Sequence, residues 1–317
     1  MLHPQVSALL ASMAAAGYAD LSALTLDALR GAAREAYVPA GLPVYVREFQ
    51  IPGPNGPLTA RAYSRASSQN APLLPGLVFF SAGFYVVGEL SGHSALCQQL
   101  AVAADCVVVS VAVRLAPEHK FPAAADDAYA ATCWIHENAD ELGIDHRRIA
   151  IGGESTGATL ATGVCRLAKE RRNPPLCFQL LLYPVTDLRA AAVERASRRE
   201  AQLVTSAVLT KVIELYLGSD AQRADPRCSP LAASNLIGLP PALIISAEDD
   251  ALMEQVDAYA HMLEHAQVPV TLSRYAGVGH GFVHMFEFVD RGRDALAESA
   301  AALRTALHVP FEAETAS

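Results

Sequence analysis

A serine stands at the centre of the segment Gly153–Gly157, which reads Gly-Glu-Ser-Thr-Gly. Apolar residues Ile149–Ile151 precede the segment as a predicted strand, and Ala158–Arg171 follow it as a predicted helix. A sharp turn between a strand and a helix exposes a serine hydroxyl at the edge of a sheet, where only small neighbours fit. Gly-x-Ser-x-Gly also occurs in ordinary tight turns, but the strand before it and the helix after it favour a nucleophile. We therefore predict Ser155 as a nucleophile.

A serine hydroxyl is a weak nucleophile until a histidine takes its proton and a carboxylate orients that histidine. On this type of turn the acid and then the histidine follow the serine in the chain. The predicted strand Ala242–Ser246 leads to Glu248, Asp249 and Asp250, and a later strand leads to His280 between two glycines. Open parallel sheets carry their sites at the carboxyl ends of the strands. His280 is the predicted base, whereas the residues alone do not choose among the three adjacent acids.

The other histidines fit this role less well. His261 and His265 share one face of a predicted helix, but no third metal ligand accompanies them. His284 lacks the flanking glycines of His280. His93, His119 and His136 precede the serine and would reverse the expected order.

The cysteines and the N-terminus bear on the cellular compartment. Six cysteines form no Cys-x-x-Cys pair and do not cluster with histidines. This predicts free, buried thiols in a reducing cytoplasm, with neither a disulfide framework nor a metal site. Residues 6–19 are apolar enough to imitate a secretory signal, but the first basic residue is Arg30. Because a signal peptide has basic residues ahead of its apolar core, we interpret the segment as an amphipathic helix.

The composition limits the classes of partner. Hydrophobic residues make up 52% of the 317 residues and charged residues 18%, which predicts a large core and excludes a disordered or disulfide-held chain. The formal net charge is −9, and no basic run exceeds Arg171 and Arg172, which argues against nucleic acid as a partner. No apolar stretch reaches the ~20 residues that span a bilayer. Small neutral or apolar molecules fit best.

Short apolar strands alternate with helical stretches along most of the chain, a pattern typical of an α/β fold with a parallel sheet covered on both faces. The predicted strands are Leu77–Phe80, Val107–Val111, Ile149–Ile151, Phe178–Tyr183, Ala242–Ser246 and Val268–Tyr275. The predicted helices are His93–Ala104, Ala123–Asn138, Thr156–Arg171, Met253–His265 and Asp290–His308. Two regions break the alternation and predict a cap: residues 1–45 and an insertion at 187–226. The core then consists of residues 46–186 and 227–317.

Several motifs in this order resemble those of the hormone-sensitive-lipase-like esterases, the bacterial family IV carboxylesterases of the α/β-hydrolase superfamily. They are Arg114–Ala124, Gly153–Gly157, Leu182–Pro184, Gly238–Ala242 and His280–Phe282, and the resemblance covers nearly the whole chain. It implies a mostly parallel, eight-stranded sheet with a helical cap. The acid motif of the family matches Asp250-Ala251-Leu252, so the resemblance implies Asp250 as the acid.

One loop departs from the family pattern. Ser81-Ala82-Gly83-Phe84 stands where the family usually has His-Gly-Gly-Gly. That loop aims backbone N–H groups at a developing oxyanion, and loss of one such donor typically costs about 10²–10³ in rate. Backbone donors survive a change of side chain, so we expect Gly83, Phe84 and Thr156 to supply them. Phenylalanine adopts a positive φ only at a cost, and a one-residue shift that keeps Gly83 as a donor is the alternative alignment.

The family resemblance implies a cofactor-free serine carboxylesterase that hydrolyses uncharged esters of short to medium acyl chains. Ser155 then carries the acyl group, with His280 as the base and Asp250 orienting it. Bulky side chains at Phe84 and Tyr85 predict an altered substrate preference or lowered activity, and Val113 in place of the usual tyrosine points the same way. Family members are often dimers, so a homodimer is an expectation as well.

Two alternatives use the same fold. One is a protein that binds a small molecule without hydrolysing it, as related plant hormone receptors do; those receptors have lost the catalytic histidine, whereas His280 is present here. The other is a specialised lyase or acyl-transfer enzyme, for which a changed oxyanion loop is also expected.

Overall fold

Eight strands form a single sheet in the computed structural model, which describes residues 2–35, 42–65, 72–81, 83–196 and 203–308. The strands are β1 (Tyr45–Gly53), β2 (Gly56–Ser64), β3 (Leu74–Ser81), β4 (Val107–Val111), β5 (Ile144–Glu154), β6 (Phe178–Leu182), β7 (Ala242–Ala247) and β8 (Val270–Tyr275). Their order across the sheet is β1-β2-β4-β3-β5-β6-β7-β8. The six strands from β3 onward are parallel to one another. Strand β2 is antiparallel to both of its neighbours, β1 and β4. The predicted eight-stranded, mostly parallel α/β sheet is confirmed.

The helices cover both faces of this sheet. They are α1 (Pro4–Ala15), α2 (Leu26–Glu35), α3 (Ser94–Ala104), α4 (Ala123–Glu137), α5 (Thr156–Arg171), α6 (Ala190–Ala196), α7 (Ser206–Tyr216), α8 (Met253–His265) and α9 (Asp290–His308). One face packs against α3 and α9, and the other packs against α4, α5 and α8. Successive side chains of a strand point to opposite faces, so Phe79 lies in the first core and Phe80 in the second. The predicted bounds of α5, α8 and α9 are confirmed.

The hairpin of β1 and β2 is missing from the predicted strands. Edge strand β1 leaves most of its residues exposed or half exposed, including Tyr45 and Val46. Its sequence therefore lacks the continuous apolar run by which the central strands are recognised. The signal that predicts it is the Pro54-Asn55 turn before Gly56, since such residues connect paired strands.

Two helical segments lie outside the alternation of strands and helices, as predicted. Helices α1 and α2 belong to the N-terminal segment, and α6 and α7 follow β6. Lys211 of α7 donates to the carbonyl oxygen of Ser22 at 2.8 Å and also to that of Leu24. Lys120 holds the end of α7 to the core by donating to the carbonyl oxygens of Glu214 and Leu217. The division of the chain at residues 45, 186 and 226 stays a prediction.

The helices also bear on membrane insertion. No helix formed by the described residues is both long enough and apolar enough to cross a bilayer.

Candidate active site

Ser155 lies in the turn between β5, which ends at Glu154, and α5, which begins at Thr156. Its backbone has φ 54° and ψ −121°, a conformation that L-residues rarely adopt and that costs roughly 1–3 kcal/mol. The turn is so tight that a Cβ on Gly153 would lie 2.5 Å from the carbonyl carbon of Gly157. Only glycine fits at position 153, which explains the first glycine of the motif.

His280 connects Ser155 to Asp250. Its Nε2 lies 2.8 Å from the hydroxyl oxygen of Ser155, and its Nδ1 lies 2.7 Å from Oδ2 of Asp250. All three side chains are buried. Asp250 follows β7 and His280 follows β8, so the carboxyl ends of neighbouring parallel strands bring the predicted residues together.

The two acids that precede Asp250 have other surroundings. Glu248 accepts a hydrogen bond from the backbone N–H of Gly277 at 3.2 Å. Asp249 keeps one buried carboxylate oxygen without a hydrogen bond to the described residues. Within the described part of the chain, the carboxylate that forms a hydrogen bond with His280 is that of Asp250.

The surroundings of His280 favour its protonated form. Burial by itself lowers the pKa of an imidazole. The carboxylate of Asp250, through its charge and its hydrogen bond, and the charge of Glu154 act in the opposite direction, and the pKa of His280 is raised above its usual value. The site can therefore hold a proton on His280 while Ser155 reacts.

The segment after β3 shows the conformation that the sequence predicts to be costly. Phe84 has φ 56° and Tyr85 has φ 58°. Gly83 closes the turn by accepting hydrogen bonds from the N–H groups of Val86 at 3.2 Å and Val87 at 2.8 Å. Ala82 lies outside the described residues. Phe84 thus adopts a positive φ at a position where the family usually has glycine. The contacts of the next residue, Tyr85, offer an explanation.

Tyr85 anchors this loop in the core. Its ring is fully buried and stacks on the ring of Tyr216 in α7, with centroids 3.7 Å apart and an interplanar angle of 2°. Its N–H donates to the hydroxyl of Thr156 at 3.3 Å, and its carbonyl accepts from the N–H of Ala116 at 2.9 Å. Burying an aromatic side chain contributes roughly 1.5–3 kcal/mol, enough to offset the cost of about 1–3 kcal/mol for a positive φ. The side chain of Tyr85 therefore packs in the core, and the effect of this loop on substrate preference stays a prediction.

Arg30 of α2 clamps the same loop from the outside. Its guanidinium donates to the carbonyl oxygens of Val86 at 2.9 Å and Ala116 at 3.1 Å. It also donates twice to the carboxylate of Glu118, at 2.7 and 2.8 Å. The sequence does not predict this clamp, because nothing near Arg30 in the chain indicates which distant carbonyl groups its guanidinium reaches.

The loop after β3 and the start of α5, which carry the predicted oxyanion donors, contact each other. Thr156 is the first residue of α5, so its N–H has no partner within the helix. Its hydroxyl contacts the loop at Tyr85. The N–H of Phe84 forms no hydrogen bond with the described residues. The role of Gly83, Phe84 and Thr156 in binding an oxyanion stays a prediction.

Behind Ser155, Glu154 is the centre of a second polar group. It accepts a hydrogen bond from the hydroxyl of Tyr183 at 2.8 Å and lies 2.9 Å from Nε2 of His93. Burial alone would raise the pKa of Glu154, but His93, His284 and Tyr183 lower it to about 2. The buried Tyr183 ring lies 4.9 Å from the ring of His280. His93 and His284, set aside as bases by the sequence, contact this group instead.

An apolar cavity of about 520 Å³ lies between the N-terminal helices and the segment that follows His280. Such cavities, with few polar groups, are typical of sites for small molecules. Its walls include Leu9, Met13, Tyr18, Leu21, His284, Met285, Phe286 and Phe288.

A family model described as alpha/beta hydrolase fold matches residues 77–284. The chain is 39% identical over 270 residues to LipN, a carboxylic ester hydrolase of Mycobacterium tuberculosis, and this match covers 83% of the chain and 71% of LipN. It is 40% identical over 233 residues to an ethyl acetate hydrolase of Pseudomonas putida, covering 72% of the chain and 73% of that protein.

The structure is also similar to that of a hyperthermophilic esterase from the archaeon Pyrobaculum calidifontis. The TM-score is 0.89 at 33% identity, covering 96% of this chain and 98% of the other. The chain belongs to the α/β-hydrolase fold family and, within it, to the hormone-sensitive-lipase-like carboxylesterases. Its enzyme class is accordingly that of a carboxylic ester hydrolase.

Proposed function

We propose that this enzyme hydrolyses uncharged esters of short to medium acyl chains through an acyl-enzyme on Ser155. The observation that carries the proposal is the position of His280, whose two ring nitrogens lie 2.8 Å from the hydroxyl oxygen of Ser155 and 2.7 Å from Asp250. A nucleophile, a base and an orienting carboxylate in hydrogen-bonding contact are the arrangement that acyl transfer needs.

The reaction proceeds in two halves. His280 takes the hydroxyl proton as the oxygen of Ser155 attacks the ester carbonyl, and it then gives this proton to the leaving alcohol. In the second half, His280 takes a proton from water, the resulting hydroxide attacks the acyl-enzyme, and Ser155 regains its proton. Asp250 holds the imidazole in the required orientation and stabilises its charged form throughout.

Backbone N–H groups are proposed to bind the negative oxygen of the tetrahedral intermediate. Thr156 offers the unpaired N–H at the start of α5, and Gly83 and Phe84 offer those of the loop that Tyr85 anchors. Backbone donors in a rigid loop need no reorganisation as charge develops, which is the source of their effect. The buried Tyr85 and the clamp by Arg30 support this rigidity.

The proposed substrate class is inferred from the apolar cavity between the N-terminal helices and the segment that follows His280. Its lining is mostly apolar, and the chain has a formal net charge of −9. Both features favour neutral, hydrophobic esters over anionic ones. A relative that is 40% identical is named an ethyl acetate hydrolase, which supports a small ester. A cytoplasmic location and a homodimer stay predictions from the sequence.

The test is steady-state and pre-steady-state hydrolysis of p-nitrophenyl esters from acetate to decanoate, with Ser155→Ala as the control. We expect turnover that favours the shorter chains, labelling of the wild type by a fluorophosphonate and no labelling of the variant. Turnover that is no greater than that of Ser155→Ala at every chain length would contradict the proposal. Ligand binding without labelling would then indicate a binding protein, and a dehydrated or transferred product would indicate a lyase or an acyltransferase.

A further inference from the structure

Three potential metal ligands lie together behind the nucleophile. His93, Glu154 and His284 each place one ligand atom within 4.8 Å of the other two. They come from three separate parts of the chain: the turn before α3, the end of β5 and the segment after His280. The sequence shows no metal motif here because the three positions are far apart in the chain.

The imidazoles of this group have unused ring nitrogens. Nδ1 of His93 and Nδ1 of His284 are buried and have no hydrogen-bond partner among the described residues. Buried polar atoms in proteins nearly always have a partner, so two neighbouring exceptions require a reason. The rings lie 4.7 Å apart between centroids. The proposed ester hydrolysis uses neither ring.

The chemistry of the donors indicates which ion fits. Two imidazole nitrogens and one carboxylate oxygen are ligands that Zn²⁺ prefers, whereas Mg²⁺ and Ca²⁺ prefer oxygen ligands alone. Ligand atoms around a tetrahedral Zn²⁺ are roughly 3.3–3.5 Å apart, given bond lengths of about 2.0–2.2 Å. The spacing of up to 4.8 Å therefore closes with a small rotation of an imidazole side chain.

We propose that His93, Glu154 and His284 bind one divalent transition-metal ion of the Zn²⁺ class, with water as a fourth ligand. The surroundings allow an ion to enter, because His284 also lines the cavity next to α1. The side chains of His93 and Glu154 are only 13% and 12% exposed, so they form a pocket rather than a surface patch.

The experiment measures metal binding by the purified, tag-free chain after treatment with a chelator. Titration calorimetry with Zn²⁺ reports the affinity, and the visible absorption of bound Co²⁺ reports a four-coordinate site. We expect one ion per chain, and a loss of affinity of at least about tenfold in His284→Asn and in Glu154→Gln, since each removes a ligand. His284→Asn is the primary variant because the side chain of His284 forms no hydrogen bond with the residues that the structure describes.

The matched control is the exposed pair of His261 and Glu264, 3.1 Å apart on α8. His261→Asn and Glu264→Gln are expected to leave the affinity unchanged, because both side chains are exposed. Circular dichroism checks that each variant is folded. The proposal is overturned if wild type binds no Zn²⁺ at about 100 μM, or if folded His284→Asn and Glu154→Gln both bind it as tightly as wild type. Because the readout is binding, the outcome is independent of ester hydrolysis.

Discussion

The ring of Tyr85 lies parallel to the ring of Tyr216, with centroids 3.7 Å apart. This stack joins the loop that follows β3 to helix α7, which lies in the predicted cap insertion. The loop that is proposed to bind the oxyanion is therefore shaped by a helix more than a hundred residues further along the chain. We expect its left-handed residues, Phe84 and Tyr85, to depend on that contact.

Removal of the stack is expected to loosen the loop. In Tyr216→Ala we expect a loss of about 3 kcal/mol in the free energy of unfolding, as for other buried aromatic residues. We also expect kcat for p-nitrophenyl acetate to fall by at least about tenfold, because misplaced oxyanion donors stabilise the transition state less. Chemical denaturation and initial rates measure the two effects.

Tyr216→Phe is the matched control for this prediction. The hydroxyl of Tyr216 has no hydrogen-bond partner among the described residues. The phenylalanine ring keeps the stack, so both stability and kcat are expected to stay close to wild type. If Tyr216→Ala retained full kcat while it was destabilised, the stack would be shown not to position the loop.

The acid limb of the pH profile is expected to depend on Glu154. Asp250 and Glu154 together outweigh the effect of burial and raise the pKa of His280. Hydrolysis requires neutral His280, so activity falls as pH decreases through that pKa. In Glu154→Gln the negative charge is gone and the pKa of His280 decreases, so the acid limb of kcat/KM moves to lower pH.

The comparison for that profile is Glu264→Gln on the exposed face of α8. This variant also removes one negative charge, but far from His280, and we expect the acid limb of kcat/KM to stay at the same pH. The pKa of Glu154 is lowered to about 2, so it stays ionised in wild type over the whole range of the assay. A limb that is unchanged or that moves to higher pH in Glu154→Gln would contradict the prediction.

The clamp by Arg30 is expected to contribute to both catalysis and stability. Arg30→Lys keeps the charge but loses the forked donors that reach the carbonyl oxygens of Val86 and Ala116. We expect a loss of about 1–2 kcal/mol in stability and a several-fold decrease in kcat. Arg61→Lys is the control, because Arg61 forms a similarly exposed ion pair with Glu48 in the β1–β2 hairpin. Equal effects of the two variants on kcat would refute a specific role for Arg30.

Gly153→Ala is expected to distort the turn that carries Ser155. Its Cβ would meet the carbonyl carbon of Gly157 at 2.5 Å, a contact that requires the backbone to shift. A loss of at least about 2 kcal/mol in stability and nearly all activity should follow. The matched substitution is Gly163→Ala in α5, whose nearest neighbour lies at 3.5 Å. That variant should be as active as wild type and more stable by up to about 1 kcal/mol, as measured by thermal unfolding and ester hydrolysis.

Local patterns in the sequence predict the strand, turn and helix around Ser155. They also predict that an acid and then His280 follow Ser155 in the chain. Each of these residues comes directly after an apolar strand, and parallel strands end at the same edge of a sheet. The choice of Asp250 among three adjacent acids came from the family resemblance, because neighbours in sequence share the same local pattern. The edge hairpin was missed because half-exposed strands lack a continuous apolar run.

Contacts between distant parts of the chain were decided only in the tertiary structure. Tyr85, which has a positive φ, stacks on Tyr216 of α7, and Glu154 contacts His93, 61 residues earlier. No local preference encodes such contacts, since side-chain packing and burial arise only when the helices close over the sheet. The sequence by itself therefore determined the order of the predicted nucleophile, acid and base. The tertiary structure decided the shape of the loop beside them and the buried charge behind them, because both follow from long-range packing.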